Sequence, residues 1–583
     1  MRKINKKIVD IRGLDPRRLK LIYIGSLIVI FCLLGRVFYL QVFNSQFLRN
    51  KAIAIQIKKT NALKKRRSIV DRNNRLIAFD KPIYKLWAHP KYFKFPGDSS
   101  NKTRSIKEVA NKISRILNIQ EDLIISKFID DKKGVQLFDD LSIEEARNIK
   151  NLRISGLDLE IYSKRFYPQS NLFSNIVGFV NFENKPASGL ELFLNNDIKV
   201  FNKSNFLKKG ADGTPLPDSS GPEDFIDDDK EIVLTLDSRI QKISFEALSN
   251  QVKQWNAKKG FAIVMNVKNG EILSLVSVPS YDPNKFWDYD QKVFKGWYLQ
   301  DLFEPGSTFK PINLALALEE KVIAKDGFID DNGFINVGGW TLTNWNKKGN
   351  GYIDYPKVLQ VSSNVGMVKI MKQLNPGIYW EWLNKLGINK ELKTDIYEST
   401  PGHLKHKEIF MNQPIEQAVA SFGQGFSISP VKLAQLHALL ANGGYEITPH
   451  VTVDFGMNKK DKKNKLLSNH VSQTILEWME TVVKEGSGSG AKVEGYRIGG
   501  KTGTSQKAFN GVYTNKKICS FVATFPIENP KYVVLAVVDE PSKAYAYGST
   551  VAVPVVKEII ESLIVVDKIP PSVIQEKTIV KKP

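Results

Sequence analysis

Three short segments, far apart along the chain, carry residue types that could perform acyl transfer together. The first is Glu304-Pro305-Gly306-Ser307-Thr308-Phe309-Lys310-Pro311, continued by the apolar run INLALALEE. Pro305-Gly306 reads as a turn and Ser307 stands where a helix N-cap belongs, so Ser307 and Lys310 fall one turn apart on the same face. A serine becomes a good nucleophile only when a base takes its proton, and a lysine can be that base if burial or a neighbouring cation keeps it neutral. N–H groups at the helix start could hold a developing oxyanion. An S-x-x-K spacing alone arises by chance in a chain this long, usually on a solvated helix face, so the specificity comes from the two other segments and their order. Ser362-Ser363-Asn364, inside VLQVSSNVGMVKIM, brings a second hydroxyl that can relay protons to Lys310 and an amide that can hold a peptide backbone. Lys501-Thr502-Gly503-Thr504, after IGG, brings a cation and two hydroxyls suited to a substrate carboxylate. The candidate catalytic residues are therefore Ser307, Lys310, Ser362, Asn364 and Lys501, and the candidate substrate-binding residues Thr502, Gly503 and Thr504.

The third segment also fits another chemistry. Gly495-Tyr496-Arg497-Ile498-Gly499-Gly500-Lys501-Thr502 satisfies the phosphate-loop pattern G-x-x-x-x-G-K-[ST], and VVLAVVDE at 533–540 imitates its companion strand and acid. A phosphate loop must open into a helix whose N-terminus holds the phosphate, whereas here the chain continues as TGTSQKAFNGVY, without an apolar helical period.

The elements that must position these residues are legible after about residue 230. EIVLTLD at 231–237 reads as a strand, SRIQKISFEALSNQVKQW at 238–255 has helical spacing, and FAIVMNVKNGEILSLVSV at 261–278 is two apolar runs joined by Lys268-Asn269-Gly270, a hairpin signal. Residues 430–442 and 468–484 read as helices, and ICSFVATF at 518–525 and YVVLAVVDEP at 532–541 as buried strands. Strand, helix, hairpin, helices and strands again imply an α+β fold with a mainly antiparallel sheet covered by helices. Residues 202–230, rich in Gly, Pro, Ser and Asp, mark a turn-rich boundary. The expected organisation is a tail over 1–20, a transmembrane anchor over 21–43, an elongated mixed domain over 44–225, the catalytic domain over 226–569 and a C-terminal tail over 570–583.

With 583 residues, 42% of them apolar and 25% charged, the chain can bury several cores and is not a polytopic membrane protein. Its net charge of +23 is spread along the chain with no zinc-finger, RRM-like or basic-helix pattern, which argues against nucleic acid. Two cysteines, Cys32 and Cys519, make no disulfide framework, and six scattered histidines without HExxH or CxxC point to no metal. Residues 21–34 carry no charge, and beyond Arg36 the apolar run resumes to Phe43. At 1.5 Å per residue this stretch spans roughly 34 Å, enough for one bilayer crossing. The eight Lys and Arg before it, against Asp10 and Asp15, keep the N-terminus cytoplasmic by the positive-inside rule and place the rest outside. A cleaved signal peptide is the competing reading, but its candidate site, Ala52-Ile53-Ala54, lies too far past the apolar run.

The three segments in this order resemble the signature of the penicillin-binding proteins and serine β-lactamases. The chain as a whole resembles the class B penicillin-binding proteins, the membrane-anchored peptidoglycan D,D-transpeptidases, from Arg36 to about residue 565. Arg67-Ser68-Ile69-Val70-Asp71-Arg72-Asn73-Asn74, Arg165-Phe166-Tyr167-Pro168 and Gly189-Leu190-Glu191 resemble that class's N-terminal pedestal, with Ser68 and Asn74 where glycines are usual. Phe303 to Lys310, Ser362 to Gly366, Gly423-Gln424-Gly425, Ala441-Asn442-Gly443-Gly444 and Gly499 to Thr504 are more similar to the division-specific, septal enzyme than to the elongation enzyme. The resemblance implies that Ser307 attacks a terminal D-Ala-D-Ala bond, that Lys310 accepts its proton, and that Ser362 with Lys501 passes a proton to the leaving D-alanine. It implies an oxyanion held by the backbone of Ser307 and Thr504, a donor backbone held by Asn364, and a terminal carboxylate held by Thr502 and Thr504. The implied partners are stem peptides ending in D-Ala-D-Ala, β-lactam antibiotics, a polytopic glycan polymerase and other division proteins, with no cofactor, metal or nucleic acid. The implied location is the inner membrane, crossed once, with the catalytic domain periplasmic. A β-lactam sensor would add several membrane spans and an HExxH half, a silent scaffold would lack Ser307 or Lys310, and a D,D-carboxypeptidase would not need the long N-terminal region.

Overall fold

The computed structural model describes residues 16–48, 51, 66–96, 105–128, 134–198, 230–396, 399–458, 464–509 and 512–572. The alternative cleavage site at 52–54, most of the boundary segment at 202–230, the first fifteen residues and the tail from 573 lie outside them.

The chain divides into two compact units, one of 1–64 with 201–228 and one of 65–200 with 229–583. The described part of the first is the helix Pro16–Phe38, continued by a wider turn over Tyr39–Phe43. Its apolar side chains, such as Ile22, Phe31 and Leu34, are exposed, and it is long and apolar enough to cross a membrane. Arg36 folds its guanidinium over the Tyr39 ring at 5.6 Å, so its charge lies at the far end of the apolar run.

In the second unit, β1 (Ile69–Val70), β2 (Leu76–Ala88), β3 (Val135–Leu141), β4 (Leu157–Phe166) and β5 (Ile232–Val233) form one sheet, ordered β3-β2-β1-β5 with β4 also on β2. The helices Ile106–Leu117 and Ile143–Asn151 bury Val109, Ile113 and Ile149 against Leu86, Ala88 and Leu137. The strand expected over 231–237 is shorter: only Ile232–Val233 pairs, in parallel with β1, after which Leu234 bridges Thr452 and Thr235 N bonds Val451 O. The segment changes partners midway because it passes from the first sheet to the part that follows it.

A charged cluster ties the N-terminal part of this unit together, and Asp71 links it to the part that follows. Arg165 Nε donates to Glu191 Oε1 at 2.6 Å and its Nη1 to Asp80 Oδ1 at 3.1 Å, while Arg66 Nε donates to Glu191 Oε2 at 2.9 Å. Asp71 accepts from Asn73 N and Arg75 N through Oδ1, and from Ser238 N at 3.1 Å and Ser238 Oγ at 2.6 Å through Oδ2. Asn74 adopts φ +60°, which fits an asparagine where glycine is usual.

The part expected to be catalytic carries the helix-covered antiparallel sheet that the sequence pattern implies. The helix Ser238–Gln254 precedes the hairpin β6 (Lys259–Asn266) and β7 (Ile272–Val278). Two small antiparallel pairs come next, β8 (Phe328–Asp331) with β11 (Gly351–Asp354) and β9 (Phe334–Val337) with β10 (Trp340–Thr343). After the helices Pro430–Ala441 and Asn469–Glu485 come β12 (Gly499–Phe509), β13 (Val512–Phe525) and β14 (Tyr532–Asp539). The main sheet runs β12-β13-β14-β6-β7, antiparallel throughout. Its pleat separates two cores. Phe261, Ile263, Met265, Val533, Leu535 and Val537 pack toward helices such as Lys310–Glu319 and Asn469–Glu485, while Ala262, Val264, Val534 and Ala536 pack toward Ser238–Gln254 and Val553–Val566. β12 is an edge strand, so one of its sides is open to the turn Gly306–Phe309.

Candidate active site

Ser307 does not sit at an N-cap. It lies inside a tight turn, Gly306–Phe309, capped by Pro305, which runs directly into the helix Lys310–Glu319. The turn is closed from outside: Gly306 N bonds Gly423 O at 2.9 Å, Thr308 Oγ1 bonds Pro305 O at 2.7 Å, and Phe309 is fully buried against the Phe426 ring. The Ser307 hydroxyl is therefore not spent on capping a backbone N–H. Gly423 at φ +82° allows this approach, since a Cβ there would stand 2.1 Å from Gly306 O.

The second segment meets Lys310 directly. Lys310 Nζ lies 2.7 Å from Ser362 O, 3.2 Å from Ser362 Oγ and 2.8 Å from Asn364 Oδ1. Ser362 has φ +58°, a left-handed conformation rare outside glycine, which turns both its carbonyl and its hydroxyl toward the lysine. Ser363, between them, is buried and caps the helix Asn364–Met371 by accepting from Gly366 N at 2.8 Å.

Lys501, near the start of β12, donates to Ser362 Oγ at 3.0 Å and to Thr502 O at 3.0 Å. All three segments thus converge on one hydroxyl. Both lysines are fully buried. Burial first, then the charge of Lys501, holds Lys310 well below the ordinary lysine range, against an opposing pull from Asp331. Burial brings Lys501 down to about 7.

Not every expected residue stands ready. Among the described residues Lys310 Nζ makes no hydrogen bond to Ser307, its nearest partners being Ser362 and Asn364. Thr502 is buried with its hydroxyl 2.6 Å from Ser487 Oγ, and Thr504, exposed, accepts from Gly548 N at 3.0 Å. Gly503 has a steric reason: a Cβ there would lie 2.5 Å from Ser520 Oγ and 2.9 Å from Thr308 Cγ2, so only glycine lets β12 lie against the Gly306–Phe309 turn. The phosphate-loop alternative fails here, because Gly499–Phe509 is a strand paired residue by residue with β13, and Lys501 leads into no helix N-terminus.

Sequence reasoning missed the residues that support the site. His437, buried, has Nε2 2.8 Å from Thr308 O, and burial pushes its imidazole down to about 4, so it stays neutral and can donate that bond. Glu304 accepts from Gly425 N at 3.0 Å and from Tyr513 Oη at 3.1 Å, tying the turn to the β12–β13 hairpin. Asp331 and Asn344 lie under the second segment. A histidine on an apolar helix face and an aspartate before Asn-Gly gave no functional signal.

The penicillin binding protein transpeptidase domain matches residues 260–561, and the penicillin-binding protein dimerisation domain matches residues 62–199. A protein of Mesostigma viride named peptidoglycan D,D-transpeptidase FtsI homolog is 39% identical, over 93% of this chain and 94% of that protein. A protein of the same name from Chlorokybus atmophyticus is 33% identical over 93% and 95%. The crystal structure of a peptidoglycan synthetase from Bifidobacterium adolescentis superposes with a TM-score of 0.64 at 21% identity, covering 88% of this chain and 97% of that one, which is a likeness of fold.

Proposed function

We propose a serine acyl-enzyme chemistry for this chain, which belongs to the penicillin-binding protein transpeptidases and is a peptidoglycan D,D-transpeptidase of the class B kind. Ser307 attacks the carbonyl of the terminal D-Ala-D-Ala bond of a stem peptide. A neutral Lys310 has two N–H groups and one lone pair; Ser362 O and Asn364 Oδ1 engage the two donors, and the lone pair, released from the more distant Ser362 hydroxyl, takes the Ser307 proton. The oxyanion rests on the backbone N–H groups of Ser307 and Thr504, the second on the edge strand β12. Lys310 then returns that proton through the Ser362 hydroxyl, beside the cationic Lys501, to the departing D-alanine, which leaves an ester on Ser307 and Lys310 neutral again for the attack of the acceptor. Asn364 holds the donor backbone, and Thr502 and Thr504 receive the carboxylate, Thr504 through a hydroxyl hydrogen not used in its bond from Gly548. An amine of a second stem peptide attacks the ester and closes the cross-link. The energy of the broken peptide bond is kept in the ester, so no nucleotide is consumed. β-Lactams acylate the same serine.

The observation that carries this reading is the meeting of Lys310 and Lys501 on the one Ser362 hydroxyl. The names of the relatives fit the septal branch, which we take as the role of this chain in wall synthesis. The apolar helix Pro16–Phe43 anchors the protein to a membrane; we propose that it crosses the inner membrane once with the catalytic part outside, where a polytopic glycan polymerase and other division proteins join it. We likewise assign the pedestal to 44–225 and catalysis to 226–569, supported by the two family matches.

The test is to incubate the full-length chain with a pentapeptide donor and an amine acceptor and to separate the products. Cross-linked product with equimolar D-alanine is expected. Hydrolysed tetrapeptide alone would mean a carboxypeptidase, and no D-alanine from folded protein would overturn the assignment.

A further inference from the structure

A carboxylate lies buried beneath the second segment. Asp331, the last residue of β8, is fully buried and is met by four groups: Asn344 Nδ2 donates to both its oxygens at 2.9 Å, Ser363 Oγ to Oδ2 at 2.7 Å, Gly333 N to Oδ1 at 3.0 Å, and Asn350 Nδ2 to Oδ2. Every partner is a donor, which suits an ionised carboxylate and not an amide, whose NH₂ would face another N–H or O–H. Desolvation opposes the charge, but these bonds outweigh it and hold Asp331 below the ordinary carboxylate range. None of the four is a cation. A buried carboxylate held by neutral donors keeps its charge only while those donors stay in place, so it fixes the groups that carry them.

Its contacts lead to the reacting groups by two routes. Ser363, bonded to Asp331, adjoins both Ser362 and Asn364 and caps the helix that Asn364 begins. Asn344, bonded to Asp331 through its amide nitrogen, turns its Oδ1 to accept from Asn364 N at 2.9 Å and Val365 N at 3.1 Å. We propose that Asp331 is a positioning residue for the transpeptidation: by fixing Ser363 and Asn344 it holds Ser362 in its left-handed conformation and aims the Ser362 hydroxyl and the Asn364 amide at Lys310. This rests on the roles given above to Ser362 and Asn364.

The carboxylate also acts on Lys310 through space. The charges that bear on Lys310 are Lys501 from β12, which disfavours its protonation, and Asp331 from β8, which favours it. Removing the Asp331 charge must therefore let Lys310 lose its proton at lower pH. A merely structural residue would slow the reaction without this shift, which separates the two roles.

The experiment uses the full-length chain in detergent, with a chromogenic β-lactam as probe, and compares wild type, Asp331→Asn and Asn344→Ala. The second-order acylation constant is measured across pH, with melting temperature as a check on folding. Asp331→Asn is expected to acylate about 10- to 100-fold more slowly at neutral pH, the scale of a misplacement of about 1 Å, with its acid limb moved to lower pH. Asn344→Ala, which keeps the carboxylate, is expected to slow acylation with the acid limb unmoved. Wild-type rates in Asp331→Asn, or a slower enzyme whose acid limb stays in place, would overturn the proposal. Should Asp331→Asn not fold, Asn344→Ala decides: slower acylation at an unchanged melting temperature supports the proposal, and an unchanged rate refutes it. Acylation of Ser307→Ala would instead refute the underlying assignment of the nucleophile.

Discussion

Lys310 and Lys501 approach a single hydroxyl in a buried site, and two charges of one sign held that close cannot both persist. On the proposed mechanism the pair divides the work, with Lys310 neutral as the base and Lys501 near its midpoint at about 7. Lys310 is a base only when unprotonated, and its native pKa is lowered, so the activity is present at neutral pH and falls as the pH drops through that lowered value. Lys501 loses its charge above about 7 in the free enzyme and with it some hold on an anionic donor. The kcat/KM for a carboxylate-bearing donor is thus expected to be bell-shaped, with apparent pKa values that belong to the pair. Lys310→Ala should lower acylation by about 10² to 10⁴-fold, the usual contribution of a positioned base, and abolish the acid limb. A flat profile in wild type would remove Lys310 from its role. Gly423→Ala tests the turn itself, since its Cβ would stand 2.1 Å from Gly306 O at φ +82°. A loss of about 2 kcal/mol or more, with acylation impaired, is expected in denaturant unfolding and rate measurements.

At the scale of elements, the hairpin β6–β7, the helix Ser238–Gln254 and the buried strands β13 and β14 were legible because each is long and keeps a single period. The 231–237 strand is shorter than its pattern suggests because seven alternating residues are shared between two different partners, which no local pattern can reveal. β8 to β11 were not foreseen: each has four residues, and Asn332-Gly333 and Gly338-Gly339 interrupt any alternation. Of the candidate site, the meeting of Lys310, Ser362, Asn364 and Lys501 was readable from motif order, whereas Asp331, Asn344, His437 and Glu304 are brought in by folded contacts and carry no spacing rule. The N-cap expected at Ser307 failed because Pro305-Gly306 starts a tight turn one step earlier.

The joint between pedestal and catalytic helix gives a prediction at this scale. Desolvation would raise Asp71, but bonds from Ser238, Arg75 and Asn73 outweigh it and lower its pKa. Its contribution to stability is therefore present above the ordinary carboxylate pKa of about 4 and is lost as the pH falls through the lower native value. Asp71→Ala leaves the buried Ser238 N–H and hydroxyl without their acceptor and should cost about 1–3 kcal/mol at pH 7. Urea unfolding measures this, and the difference from wild type should shrink at acid pH. Equal stability at pH 7 would mean that the joint is held elsewhere.

For the molecule as a whole, the apolar helix and the catalytic unit are separate bodies with separate tasks. Replacing Ile28 and Leu33 by lysine places two charges in the apolar run, at about 2.5–3.5 kcal/mol each. Membrane association is expected to be lost in fractionation while β-lactam acylation is retained; loss of both would tie the helix to the fold of the site. The central claim, that one alcohol among three converging segments is activated by a buried neutral amine, is tested most directly by exposing the folded chain to penicillin and mapping the adduct by peptide mass. A single adduct on the peptide containing Ser307, absent from Ser307→Ala, is the result expected. A folded wild-type chain without label, or a label that persists in Ser307→Ala, would contradict it.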